Sequence, residues 1–237
     1  MQRYFSKKND KCYLYLNDDD IYHIKKVMRM NNGDKVEIVY DNKLYITIVE
    51  DIDNKIKFKI IDEIKYNIHD KPIITLIIPF LKESKMDLIF QKATEMGVDG
   101  FILCPMERCM VKIDAKKIQN KINRWNRICK EASEQSKRIN IPSIKLLNKI
   151  EELQNIEGHN FTCSTQEKVN NIKKSLKSIK KCDKINLVIG PEGGISPSEE
   201  KKLNEIGFQS ISLGHLIMRV ESVPLFLMSV INYEYME

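Results

Sequence analysis

Two short stretches hold most of the residues whose types and spacing could do chemistry. The first is Gly190-Pro191-Glu192-Gly193-Gly194-Ile195-Ser196-Pro197-Ser198-Glu199. Its glycines permit backbone shapes and close approach that side chains forbid. Such a loop at the end of a strand suits a ligand held through main-chain groups. It lacks the Lys-Ser/Thr that completes a Walker A phosphate loop, and it does not have G-x-G-x-x-G spacing, which weighs against a nucleotide-phosphate enzyme. The bland alternative is a tight turn. The second stretch is Leu213-Gly214-His215-Leu216-Ile217-Met218-Arg219-Val220-Glu221-Ser222. Arg219 and Glu221 are the charged pair of an otherwise apolar segment. They could orient a substrate and help move a proton, or they could be a structural ion pair where the Glu favours a helix dipole.

The neighbouring elements would bring these stretches together. Ile185–Ile189 is an apolar strand that runs into the first stretch. A helix starts strongly behind it, with Ser196 as N-cap, Pro197 at the first helical position, Glu199 completing a capping box and Gly207 at the end. The strand Ser210–Leu213 leads into the second stretch. A helix over Glu221–Tyr235 follows, apolar nearly all round and so buried in the domain or in a dimer interface. Two strand-end loops of one sheet converge on one crevice.

The chain changes character near Lys71-Pro72. Before it, Lys35–Tyr40 and Leu44–Val49 flank an Asp41-Asn42-Lys43 hairpin turn, and Ile56–Ile60 alternates as a half-buried strand does. A helix is expected from Asp19 or Asp20 to Met30, with Gly33 after it. These pieces suggest a small β-barrel of roughly seventy residues. After Pro72, strands and helices alternate, which argues for an α/β domain with a parallel sheet. Ile73–Ile78 reads as a buried parallel strand. Ser84 caps a helix with a Met86, Ile89, Phe90, Ala93, Met96 stripe, stopped by Gly97, and Phe101–Cys104 is the next strand. A long helix opened by Asp114 buries Ile118, Ile122, Trp125, Ile128 and Ala132 and is basic elsewhere. Phe161–Cys163 is a further strand.

Composition sets outer limits. The 237 residues are 42% hydrophobic and 30% charged with a net charge of +6, a mild hint of a polyanionic partner. The six cysteines form no C-x-x-C pair and no zinc pattern, so reduced thiols and no metal are expected. The N-terminal residues carry no apolar core, so no signal peptide is expected, and no apolar run approaches a membrane span.

Taken together, the two stretches resemble the signature of the RsmE family, the 16S rRNA (uracil-N3)-methyltransferases of the SPOUT class, with its G-P-E-G-G loop and L-G-x-R-I-L-R-x-E-T segment. Five other stretches are similar to that family in order along the chain. They are Arg3-Tyr4-Phe5, the His23–Met30 helix, the Lys85–Val98 helix with its Gln91-Lys92 and Glu95-Met96-Gly97-Val98, and the pair Glu107-Arg108-Cys109 and Glu131–Arg138. Leu216 stands where the family has an Arg, Val220 and Ser222 where it has Thr.

The resemblance implies a SPOUT-type α/β domain with a C-terminal trefoil knot over residues 72–237, preceded by a small PUA-like β-barrel RNA-binding domain over 1–71. It implies S-adenosyl-L-methionine held by Gly190, Glu192, Gly193, Gly194, Leu213, Gly214, Ile217, Met218 and Arg219. It further implies a cytoplasmic homodimer acting on 16S rRNA or the small ribosomal subunit, with no membrane partner. Arg219 would orient the uridine or stabilise charge on its oxygens, and Glu221 would position Arg219 or assist proton removal. Uridine N3 lies on the pairing edge, so the base must be unpaired or flipped out. Arg3, Arg29, Arg108 and Arg138 are the first candidates for RNA phosphates, ahead of Lys25, Lys26, Lys112, Arg124, Arg127 and Lys137. A SPOUT enzyme with another target base and a non-catalytic rRNA-binding relative stay open as alternatives.

Overall fold

The computed structural model describes residues 1–52, 55–65, 71–111 and 116–236. Packing divides the chain into two compact units, Met1–Ile68 with Lys130–Ile141, and His69–Cys129 with Pro142–Glu237.

The first unit is built on β1 (Arg3–Phe5), β2 (Lys8–Asp10), β3 (Tyr13–Tyr15), β4 (Lys35–Tyr40), β5 (Lys43–Ile52) and β6 (Lys55–Ile64). They form one sheet in the order β1-β4-β5-β6-β3-β2, antiparallel throughout except for β1 beside β4. The β4–β5 turn is one residue shorter than expected. Asp41 and Asn42 both sit in the left-handed region at φ 50° and 56°, which matches the sheet twist and lets Lys43 pair with Tyr40. Tyr4, Leu14, Val36, Ile38, Val49 and Phe58 make the core on one face. The expected helix is shorter. α1 spans Asp18–Tyr22 because Asn17 caps it early, its side chain accepting from the Asp20 N–H at 2.8 Å. One π-helical turn, His23–Val27, follows, and Arg29 at φ 52° ends the winding before Met30. Residues 130–141 belong to this unit through Ile139, packed with Val39 and Leu44.

The second unit alternates β7 (Ile73–Ile78), α2 (Glu83–Glu95), β8 (Gly100–Leu103), α3 (Ile118–Gln135, counted with the first unit from Lys130), β9 (Ser143–Leu146), β10 (His159–Cys163), α4 (Ile172–Leu176), β11 (Lys184–Val188), α5 (Pro197–Glu205), β12 (Gln209–Ile211) and α6 (Ser222–Tyr235). The six strands are all parallel, in the order β12-β10-β11-β7-β8-β9. α2 starts one residue before Ser84, with Lys82 at the cap position and no side-chain cap. Its stripe is buried through Met86, Ile89, Phe90 and Ala93, and Gly97 at φ 93° ends it. Phe90 stacks on Trp125 at 5.1 Å and meets Phe101 edge-on at 4.5 Å. The expected helix opening at Asp114 and the candidate Lys112 lie outside the described residues. α6 buries Pro224, Leu227, Met228 and Ile231 and exposes Ser229, Tyr233 and Glu234.

Candidate functional site

β11 delivers the chain into the glycine loop, and the start of α5 fixes the loop's far end. Ser196 accepts from the Glu199 N–H at 3.1 Å, and Glu199 accepts from the Ser196 N–H at 3.0 Å, so the capping box forms as the sequence indicates. The other oxygen of the buried Glu199 carboxylate accepts from the Glu107 N–H at 2.7 Å, and Ser198 donates to the Glu107 carboxylate at 3.0 Å. Hydrogen bonds from Ser196 and then Ser198 hold the Glu107 carboxyl below its ordinary range. The next residue, Arg108, lies on the loop and donates to the Gly193 carbonyl at 3.0 Å.

Space requires a glycine at 190 and crowds the position at 193. A Cβ on Gly190 would meet the Ile195 side chain at 2.8 Å and its backbone nitrogen at 2.9 Å, while one on Gly193 would meet the Arg108 Cβ at 3.1 Å. The loop folds onto itself and under Arg108, with the Gly194 N–H donating to the Pro191 carbonyl at 2.8 Å.

Beside this loop lies a cavity of about 440 Å³. Ile189, Pro191, Ile195, Met218, Val220 and Val223 supply apolar walls, and Cys163, Ser164, Thr165 and Gln166 a mainly polar edge. The walls thus come from the ends of three strands, β10, β11 and β12, which are neighbours in the sheet. Burial pushes the Cys163 thiol up to about 12, so it stands in the wall as a neutral group. The size and the mix of apolar walls with a few polar groups suit a small-molecule ligand.

Of the residues expected to hold a cofactor, Gly190, Gly193, Gly194 and Met218 line this cavity. Glu192, Leu213, Gly214, Ile217 and Arg219 are not among its lining residues. Ile217 is 86% exposed and Arg219 is also exposed. Arg219 and Glu221 make no ion pair with each other among the described residues. Instead Glu221 faces Lys85, with Nζ to Oε2 at 3.1 Å, and Lys85 also donates to Glu192 at 2.9 Å. The hydrogen bond that Lys85 donates to Glu192, and then the contact with the Glu221 carboxylate, hold the Lys85 ammonium above its ordinary range. Burial pushes the Glu192 carboxyl up, but the Lys85 contact and a backbone hydrogen bond outweigh it, leaving the group below its usual range. Glu221 is also held low, first by a hydrogen bond from its own backbone, with burial opposing and Lys85 assisting.

Among the RNA-contact candidates, Arg3 is a structural residue. It is 3% exposed, pairs with Glu37 at 2.9 Å and donates to the carbonyls of Lys137 and Arg138. Its position after an exposed N-terminus gave no sign of this, because the partners lie more than a hundred residues away. Arg29 is exposed on the turn after the π-helical segment, Arg108 lines the cavity, and Arg138 is half-buried against Asn140. Arg124 is bound to Glu83 and Asp87.

Sequence reasoning did not single out residues 163–166 or Lys85 for the site. The strand Phe161–Cys163 was legible, and its end beside β11 is the signal that could have named Cys163–Gln166. Lys85 stood in the helix matched to the family, but nothing local showed what it would touch. Among the described residues no three His, Cys, Asp or Glu side chains are grouped to hold a metal, and no helix is long and apolar enough to cross a membrane.

Comparison with known proteins agrees over both units. An RNA methyltransferase domain model matches residues 69–232, and an RNA methyltransferase PUA domain model matches residues 16–63. Ribosomal RNA small subunit methyltransferase E of Bacillus subtilis is 30% identical, over 99% of this chain and 97% of its own length. The protein of that name from Mesomycoplasma hyopneumoniae is also 30% identical, over 97% of this chain and 98% of its own. A Legionella pneumophila methyltransferase structure with bound cofactor SAM superposes with a TM-score of 0.87 at 25% identity, covering 98% of this chain and 97% of that one. With the glycine loop, the cavity beside it and these matches in place, the chain belongs to the ribosomal RNA small subunit methyltransferase E family.

Proposed function

We propose that this protein transfers a methyl group from S-adenosylmethionine to N3 of a uridine in 16S rRNA, on the free RNA or the small ribosomal subunit. The observation that carries the reading is the cavity on the Gly190–Ile195 loop. Its volume, its apolar walls and its hydroxyl and amide edge at Ser164, Thr165 and Gln166 fit a nucleoside-bearing cofactor. Backbone groups at Gly190, Gly193 and Gly194, with Met218 and Val220, would hold it.

The cofactor supplies an activated methyl on a sulfonium, so the protein's task is alignment and charge control. Arg219 is exposed at the mouth segment and has no ion pair among the described residues, so its guanidinium is available to the uracil oxygens, where charge grows as N3 loses its proton. Glu221 is held ionised against Lys85 and positions the segment that carries Arg219. A carboxylate held below its usual range is a poor acceptor for the N3 proton.

The same reading includes the finer architecture. Residues 1–71 act as a PUA-like barrel that binds RNA and 72–237 as the methyltransferase domain, with the C-terminal elements threaded as a trefoil knot. Two copies pair through the knot region and the partly apolar outer side of α6, and the protein works in the cytoplasm. Arg29, Arg108 and Arg138 contact phosphates, and charge reversal at these three should weaken RNA binding and flatten its salt dependence.

Calorimetric titration with S-adenosylmethionine tests the reading, with ATP as the control. Binding of the first and not the second is expected. Binding of ATP in its place would point to a nucleotide-phosphate enzyme, and binding without transfer to RNA would point to a non-catalytic relative.

A further inference from the structure

Two separate stretches of the chain line the cavity, the glycine loop and the segment from Met218 to Val223. Neither wall is joined to the other by a shared strand, because β12 is separated from β11 by β10. Each wall carries one carboxylate placed between lining residues. Glu192 lies between Pro191 and Gly193, and Glu221 lies between Val220 and Val223. Both carboxylates turn to the same ammonium. Lys85 Nζ is 2.9 Å from Glu192 Oε1 and 3.1 Å from Glu221 Oε2.

Lys85 itself is firmly based. It stands in the first turn of α2, next to Met86, which is 1% exposed and anchors the helix to the core. Its own side chain is 26% exposed, and those of Glu192 and Glu221 are 27% and 18% exposed. The Glu192 contact is a charge-assisted hydrogen bond, shorter and stronger than a neutral one, and the Glu221 contact is an ion pair at 3.1 Å whose Oε2 makes no hydrogen bond. Without the ammonium, two carboxylates would face each other with no cation between them, and like charges push such walls apart.

We propose that Lys85 is a positioning residue that clamps the two walls of the S-adenosylmethionine site together, and so sets cofactor affinity without touching the reacting atoms. The proposal rests on the methyltransferase reading above and adds to it a residue that holds the site closed. Lys85 does not line the cavity and acts through Glu192 and Glu221.

The test is calorimetric titration of S-adenosylmethionine into the full chain and its variants, with steady-state methyl transfer alongside. Lys85→Met should raise Kd and KM for the cofactor about tenfold, with kcat within about twofold. Lys85→Arg should recover most of the loss. Glu192→Gln keeps the shape of the loop, guards against a misfolded Lys85 variant, and should cost about threefold by itself. Added to Lys85→Met, it should cost nothing more and should recover part of the loss, because the clamp is already gone and one of the two repelling carboxylates is now neutral. Unchanged cofactor affinity in Lys85→Met would overturn the clamp, as would a fall in kcat at constant KM, or a full additive loss in the double variant. If the unaltered protein fails to bind S-adenosylmethionine, the methyltransferase reading itself falls, and the clamp with it.

Discussion

The two strand-end loops are held in opposite ways. The Gly190–Ser196 loop is fixed along its length by the Gly194–Pro191 hydrogen bond, Arg108 over Gly193, the Glu192–Lys85 pair and the capping box at Ser196. The Leu213–Glu221 segment is held mainly at its ends. Ser212 exchanges hydrogen bonds of 3.3 Å with Gly214 at one side, and Val220 and Glu221 are tucked in at the other. Between them Leu216 is 72% and Ile217 86% exposed. A wall that must fit a cofactor closely gains from being set in advance, because ordering it on binding would cost affinity. A segment that must meet a large RNA has to keep its charge presented. Cofactor affinity should therefore follow the first loop and the tucked-in end of the second, and turnover the exposed Arg219.

The largest effect should come from the second loop. Arg219→Ala should lower kcat about 100-fold or more while leaving the Kd for S-adenosylmethionine within about twofold, the pattern of a lost charge-stabilising donor. Single-turnover methyl transfer and calorimetry on one preparation check it, and a rise in Kd without a fall in kcat would reverse the division of labour. Next is Gly190→Ala. The new Cβ meets the Ile195 backbone, which cannot move aside as a side-chain end can. A cost of about 2 kcal/mol corresponds to a cofactor Kd some 30-fold higher. Ser196→Ala removes the cap and one half of the box, and should lower stability by about 1 kcal/mol in urea unfolding. The smallest effect is expected at Leu216→Arg. That side chain is exposed, so unfolding free energy should stay within about 0.5 kcal/mol.

How much of this was legible in the sequence depended on how local each cause was. The capping box at Ser196–Glu199 spans four adjacent residues, and it formed as read. The α2 stripe is a periodic signal and the β7 run an unbroken apolar one, and both hold except at the exposed Ile73. The α1 helix starts earlier than expected because Asn17, outside the expected span, caps it, and it ends sooner because the π-helical turn leaves the 3.6-residue period. β9 escaped notice because it is an edge strand with Ile144 as its one half-buried apolar residue among exposed neighbours. At the site, the glycine loop announced itself by composition. The partners of the charged residues did not. Arg3 with Lys137, and Lys85 with Glu192 and Glu221, are joined across distances in sequence that spacing rules cannot span. The expected Arg219–Glu221 pair is two residues apart and would have been a local contact, yet the Glu turned to a lysine on another helix.

The most direct test of the central claim is to incubate the protein with methyl-labelled S-adenosylmethionine and small ribosomal subunits that lack the modification, then digest the 16S rRNA to nucleosides for mass analysis. The account predicts one label per 16S rRNA, recovered as 3-methyluridine and lost with Arg219→Ala. Label recovered on another base or on the ribose, or no label at all from protein shown to bind the cofactor, would contradict it.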